Sequence, residues 1–190
     1  DPYAGSMTTC DNNTTGIAAV IDFTANAPTG EWASYTKPDN YTNKNDSIIY
    51  EIHVRDMTIL AGSDVTNPKG SYLAFTQKLD FVKNLGATHV QLLPVLAYLY
   101  GNESARNTVE KGRDTSNNNY NWGFDPQNYF APEGMYATNP ADPRARVQEL
   151  RTLINESHKK GIGVILDVVY NHTANHTVLG STVPGYFYRP

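Results

Sequence analysis

Asp167, Asn171 and His172 fall within one short stretch, Asp-Val-Val-Tyr-Asn-His, directly after the apolar residues Val164, Ile165 and Leu166. The nearly continuous β-branched run that includes Val168 and Val169 suits a strand buried on both faces in a parallel sheet. An ionised carboxylate is costly to bury unless it is paired or opens onto a site, so Asp167 in such a run needs a reason. Ligands of barrels and open α/β sheets bind at the carboxyl ends of parallel strands, where Tyr170, Asn171 and His172 would stand. A structural alternative stays open on spacing alone: Asp167 caps its own loop with His172 hydrogen-bonded beside it.

A second candidate stretch is residues 120–126, Tyr-Asn-Trp-Gly-Phe-Asp-Pro, continuing through Tyr129 and Phe130 to Tyr136. So many aromatic side chains do not belong to a disordered linker. They either fold a compact Ω-loop, or offer flat apolar faces for a sugar ring while Asp and Asn bond its hydroxyls, and the two are compatible.

The elements that must position these stretches follow βα alternation. Residues 48–54 form a strand candidate with Arg55, Asp56 and Thr58 at its end. Residues 72–85 carry Leu73, Phe75, Leu79, Val82 and Leu85 at helical spacing, with Gly86 as the stop. Residues 88–95 form the next strand, with Pro94 at its exit. The loop from residue 96 to about 140 is far longer than a usual βα connection, a length that marks functional or disordered segments. Asp142 and Pro143 open a helix as N-cap and first residue. Its apolar stripe is Val147, Leu150, Leu153 and Ile154, and Lys159, Lys160 and Gly161 close it. The order β, α, β, long loop, α, β brings three parallel strands together with their carboxyl ends on one side. Residues 1–46 are polar, turn-rich and linker-like apart from a short strand-like run at 17–23, and the composition shift sets a domain boundary near residue 46. His53 and His89, isolated within strands, are expected to be hydrogen-bonded structural groups.

Two of these motifs carry a resemblance. Asp-Val-Val-Tyr-Asn-His at 167–172 resembles the first signature region of the α-amylase superfamily, glycoside hydrolase family 13. Residues 120–126 resemble the seven-residue signature YNWGYDP of type I pullulanases, debranching enzymes of that superfamily, and residues 49–56 look like their first barrel strand. The resemblance covers about residues 47–173. It implies an α/β fold: a partial (β/α)8 barrel made of the first three parallel strands with their helices and a long loop after the second strand. Residues 1–46 would then be an irregular linker and the end of a preceding β domain, and 47–190 the first part of the catalytic domain. The implied activity is retaining hydrolysis of α-1,6 branch linkages in pullulan and related α-glucans.

The resemblance places Asp167 and His172 on the sugar hydroxyls at the cleavage subsite and gives Asn171 the ordering of the loop. Phe124 becomes the stacking platform, with Tyr120, Trp122 and Asp125 shaping the site. The family has Tyr where this chain has Phe124; the stacking face survives and one hydroxyl is lost. Hydrolysis with retention needs two carboxylates about 5–5.5 Å apart. The family takes these from its fourth and fifth strands and adds a His-Asp stabiliser after its seventh, whereas this chain ends at Pro190, past its third. A whole barrel runs to ~250 residues. No catalytic residue is therefore expected in this chain, which alone should be inactive, with the remainder of the barrel as a complementary chain. Two alternatives accompany this reading: a non-catalytic α-glucan-binding chain, and a superfamily member acting on α-1,4 bonds.

Composition narrows the partners. At 190 residues and 39% hydrophobic the chain can bury a core, and its 18% charged fraction is below the ~25% usual for globular domains. Polarity comes instead from Asn, Thr, Ser and 13 Tyr, which suits neutral sugars. A net charge of −4 without a basic run argues against nucleic acid and anionic membranes. No apolar stretch reaches the ~18 residues of a membrane-spanning helix. The start at Asp1 does not read as a signal peptide, and an extracellular or cell-surface setting is expected ahead of a cytoplasmic one. One cysteine, Cys10, permits no internal disulfide, and it has no basic neighbour to activate it. His172 and His176 have the spacing of a helical metal pair but lack an intervening Glu and a third ligand, so no metal is assigned. The resemblance requires no cofactor, and calcium is not readable.

Overall fold

The computed structural model describes residues 19–24, 41–99, 101–107, 119–175, 177–180 and 183–188. Cys10, His176 and most of the expected N-terminal linker lie outside them, as does residue 108–118 of the long loop.

Three parallel strands form the expected sheet: β1 (Ile49–Ile52), β2 (His89–Leu92) and β5 (Gly163–Leu166), with β2 in the centre. Ile49 pairs with His89 and His89 with Gly163, and the register runs unbroken to Ile52, Leu92 and Leu166. The centre is set by Val90 and Leu92, both fully buried. β5 departs from the expectation of a strand buried on both faces. It is an edge of the sheet, and Leu166 is 41% exposed. Backbone pairing nevertheless continues one residue past the strand, Asp167 N donating to Leu92 O at 3.0 Å. Asp167 is thereby fixed at the carboxyl end of the sheet.

The helix expected over 72–85 is two helices, α1 (Tyr72–Thr76) and α2 (Leu79–Asn84). Gln77 breaks the line: its Oε1 accepts from the backbone N–H of Thr66 and Asn67 at 2.9 and 3.2 Å. Gly86 has φ +80 and ends the pair as read. Helix α3 (Pro143–Lys159) is as its caps dictated. Asp142 Oδ1 accepts from Arg144 N at 3.0 Å, and Ile162 N reaches back to Ser157 O at 2.9 Å around Gly161, φ +69. Of its buried stripe, Val147, Leu150 and Leu153, the last two pack in the core with Tyr72, Phe75, Leu79, Val90, Leu92 and Ile162, and Ile154 packs against it.

The aromatic stretch of the long loop does not fold on itself as an Ω-loop. The loop folds an antiparallel pair, β3 (Leu96–Tyr98) and β4 (Pro126–Pro132), with shifted register between Leu96↔Pro132, Ala97↔Asn128 and Tyr98↔Pro126. A single-turn helix α4 (Thr177–Gly180) follows β5. Buried polar groups moor the loop. Arg146 of α3 forks onto Glu103, Nη1 to Oε1 at 3.0 Å and Nη2 to Oε2 at 2.7 Å. Glu133 accepts from Tyr98 N at 3.2 Å and Met135 N at 2.8 Å, and Arg106 donates to the carbonyls of Met135 and Ala137.

This burial has a pH signature. Burial pushes Glu133 up to about 8 and also raises Glu103 and Glu149. The Glu133 carboxyl is protonated in the folded chain at neutral pH and ionised in the unfolded one, so its stabilising contribution is lost as pH rises through the folded value. His53 and His158, lowered by burial, act in the opposite sense but only below their ordinary 6.5. Urea unfolding is therefore expected to show stability falling from pH 7 to 8 by up to about 1 kcal/mol per pH unit. Glu133→Gln should flatten that slope; stability rising over the interval would contradict it.

Candidate functional site

The carboxyl ends of β1, β2 and β5 carry, in turn, His53, Arg55 and Asp56; Pro94; and the run 167–172. The residue 120–126 turn lies over them. Within the turn, Asn121 Oδ1 accepts from Gly123 N at 2.8 Å, a local turn closed by an Asn side chain. Asn121 Nδ2 donates to Leu99 O at 3.1 Å and Asp125 Oδ2 at 3.3 Å, while Leu99 N donates to Asp125 O at 2.9 Å. Gly123 has φ +90 and lies so close to Pro94 that an added Cβ would stand 2.6 Å from Pro94 O. Asn121 and Asp125 are thus spent on the turn itself. Trp122, 63% exposed, and Phe124, 36% exposed, present apolar ring surface to solvent.

Tyr120 is tied to β1. Its ring lies 5.1 Å from that of His53, its hydroxyl donates to Asp56 Oδ2 at 3.0 Å, and the Arg55 guanidinium is 5.9 Å from its ring centre. Burial and the Asp56 carboxylate push the Tyr120 hydroxyl up to about 12, so it acts as a hydrogen-bond donor and not a proton source at neutral pH.

The two sequence motifs meet. His172, exposed, places Nε2 2.8 Å from Phe124 O. A carbonyl only accepts, so Nε2 carries a proton and donates. His172 O in turn accepts from Tyr129 Oη at 2.7 Å, the Tyr129 and Tyr170 rings lie 5.7 Å apart, and Ala174 N donates to Pro126 O at 3.0 Å. The Asp167 carboxylate makes no hydrogen bond or ion pair among the described residues, and neither does the exposed Asn171 side chain. His172 is therefore hydrogen-bonded to the other motif and not to Asp167, and Asp167 does not cap its own loop. The arrangement offers a neutral, polyhydroxylated ligand flat aromatic surface beside a carboxylate and an imidazole.

Sequence reasoning singled out seven residues of the two motifs, and singled out neither Tyr129, whose hydroxyl donates to His172 O, nor the tie between Tyr120 and Asp56. His53 is the hydrogen-bonded structural group expected, buried with Nε2 2.9 Å from Asn121 O. His89 is as expected, its Nδ1 2.8 Å from Thr88 Oγ1. Among the described residues no cluster of three or more His, Cys, Asp or Glu could hold a metal, and no helix is long and apolar enough to cross a membrane.

Parallel strands with crossover helices define a partial, unclosed α/β barrel. Comparison with known proteins agrees. Residues 23–181 match the α-amylase catalytic domain. Pullulanase A of Streptococcus pneumoniae serotype 2 is 43% identical over 198 residues, covering 99% of this chain and 16% of that protein. The catalytic module of the glycogen-degrading pneumococcal virulence factor SpuA superposes with a TM-score of 0.88 at 42% identity, covering 99% of this chain and 28% of that one. The Group B Streptococcus pullulanase SAP in complex with maltotetraose gives 0.83 at 44% identity, covering 95% and 24%. The chain belongs to the α-amylase catalytic-domain family, among the pullulanase-type glycoside hydrolases. It spans about a sixth of the pneumococcal relative's length.

Proposed function

We propose that this chain forms the glucan-gripping rim of a debranching glycoside hydrolase that cleaves α-1,6 linkages in pullulan and in starch- or glycogen-like polymers. The observation that carries the reading is the hydrogen bond from His172 to Phe124 O, which makes one surface of two motifs 48 residues apart. In this reading Asp167 accepts, and His172 Nδ1 accepts, from hydroxyls of the sugar at the cleavage subsite. Phe124 supplies the stacking face, Tyr120, Trp122 and Asp125 shape it, and Asn171 orders the loop. The nucleophile and acid/base are assigned to strands beyond these three, so the 190-residue chain alone binds without cutting, and the rest of the barrel is its protein partner. No cofactor is assigned. Residues 1–46 are read as a linker before the barrel. A setting outside the cell suits a polymeric substrate. Maltotetraose bound to a relative supports an α-glucan as ligand.

Asp167→Ala and His172→Ala, each made in the full-length debranching enzyme, test the assignment. A hydrogen bond to a charged group contributes about 1.5–3 kcal/mol, so pullulan cleavage should fall at least about tenfold in the Asp167 variant. Unchanged cleavage in both would reject the assignment.

A further inference from the structure

The second imidazole under the aromatic turn is His53, just past β1. It is buried, 4% exposed, and held from three sides. Arg55 N and Asp56 N point at Nδ1 from 3.2 and 3.4 Å. Two N–H donors on one nitrogen require a lone pair there, so the ring proton sits on Nε2. Nε2 lies 2.9 Å from Asn121 O, which can only accept. Tyr136 Oη is 3.1 Å from the same nitrogen, and the Tyr136 ring meets the imidazole edge-on at 5.5 Å and 85°. The opposite end of the same turn receives the Nε2 of His172 at Phe124 O. The residues between the two imidazole-bound carbonyls are Trp122 and Gly123, followed by Phe124, the outward-facing surface of the site.

We infer that His53 is a positioning residue: its Nε2–H, fixed by backbone donors on Nδ1, sets the height and tilt of the Trp122–Phe124 face through the carbonyl of Asn121. The turn is thereby tied to β1 at one end and to the end of β5 at the other. Burial holds His53 below the ordinary imidazole value, which keeps the neutral, Nε2-protonated ring in place at neutral pH. The inference concerns the turn's geometry; only its ligand-binding consequence rests on the glucan reading.

Two substitutions separate the nitrogens. His53→Asn keeps an oxygen near the Nδ1 position, still able to accept from Arg55 and Asp56, and deletes the Nε2 donor. His53→Gln keeps a donor near the Nε2 position. The readouts are hydrogen exchange at the Gly123 amide, which is closed only by the turn's own Asn121 side chain, and calorimetric titration with maltotetraose. In His53→Asn, Gly123 exchange should quicken roughly fivefold, the equilibrium factor of one hydrogen bond, and maltotetraose affinity should weaken by a similar factor; His53→Gln should restore both toward the parent chain. Gly123 exchange unchanged in a folded His53→Asn chain overturns the inference. Should His53→Asn fail to fold, nitrogen-15 spectra of the unsubstituted chain decide: an Nε2–H tautomer supports it and an Nδ1–H tautomer overturns it. Exchange that responds as described in a chain that binds no maltotetraose supports the positioning role while rejecting the glucan reading.

Discussion

Arg146→Met is expected to destabilise the chain by about 3–5 kcal/mol, the cost of breaking a buried ion pair from one side. Arg146 and Glu103 are 1% and 6% exposed in their side chains. The same guanidinium donates to Pro140 O at 3.2 Å, joining α3 to the segment after β2 and to the approach to its own first turn. Methionine fills much of the volume but leaves the Glu103 carboxylate without its counter-charge, beside a fully buried Glu133. A native domain has only about 5–15 kcal/mol in hand, so urea denaturation at neutral pH should show most of the folded margin gone. Replacing both members, Arg146→Met with Glu103→Leu, should recover a large part of the loss, because the stranded charge is then absent. A single-variant cost below about 1 kcal/mol would mean that the pair does not hold the loop.

Gly123→Ala is the second large effect, and it falls on the site. A φ of +90 strains any residue with a Cβ by about 1–3 kcal/mol. The new methyl would also meet the Pro94 carbonyl at 2.6 Å, a backbone atom that cannot swing aside. The turn must lift, carrying Trp122 and Phe124 with it, and maltotetraose affinity should fall at least about tenfold, or 1.4 kcal/mol. Gly86→Ala is the control: its φ is +80, yet nothing lies within 4 Å of the added Cβ. It should lower stability by about 1–3 kcal/mol through backbone strain alone and leave binding untouched. Equal effects of the two on binding would show that general destabilisation, not turn geometry, governs affinity.

How far these features were legible in the chain depends on what carries each one. Helix α3 was readable because Asp142, Pro143 and Gly161 are local signals that tertiary packing did not need to override. The three parallel strands were readable from their apolar runs, although β5 is an edge whose Leu166, like Val168 beyond its end, is exposed. β3 and β4 were not readable. β3 has three residues, all buried, so it shows no alternation, and β4 begins and ends in proline. Their pairing is also irregular, held by side chains such as Glu133 that contact backbone 35 residues away. The break at Gln77 likewise depends on a contact with Thr66 and Asn67. At the site, residue types and strand ends pointed to Asp167 and His172, and the turn signature pointed to Tyr120 through Asp125. What sequence could not show was that His172 and His53 each spend a ring nitrogen on the backbone of that turn, because both contacts cross 48 residues or more.

Calorimetric titration of the 190-residue chain with maltotetraose tests the central claim most directly, since it asks whether these two motifs alone compose a glucan-binding face. Heat of binding at millimolar sugar or below, abolished by Phe124→Ala and weakened by Asp167→Ala, is the expected result. No heat at millimolar maltotetraose from a folded chain, or binding indifferent to both substitutions, would contradict it.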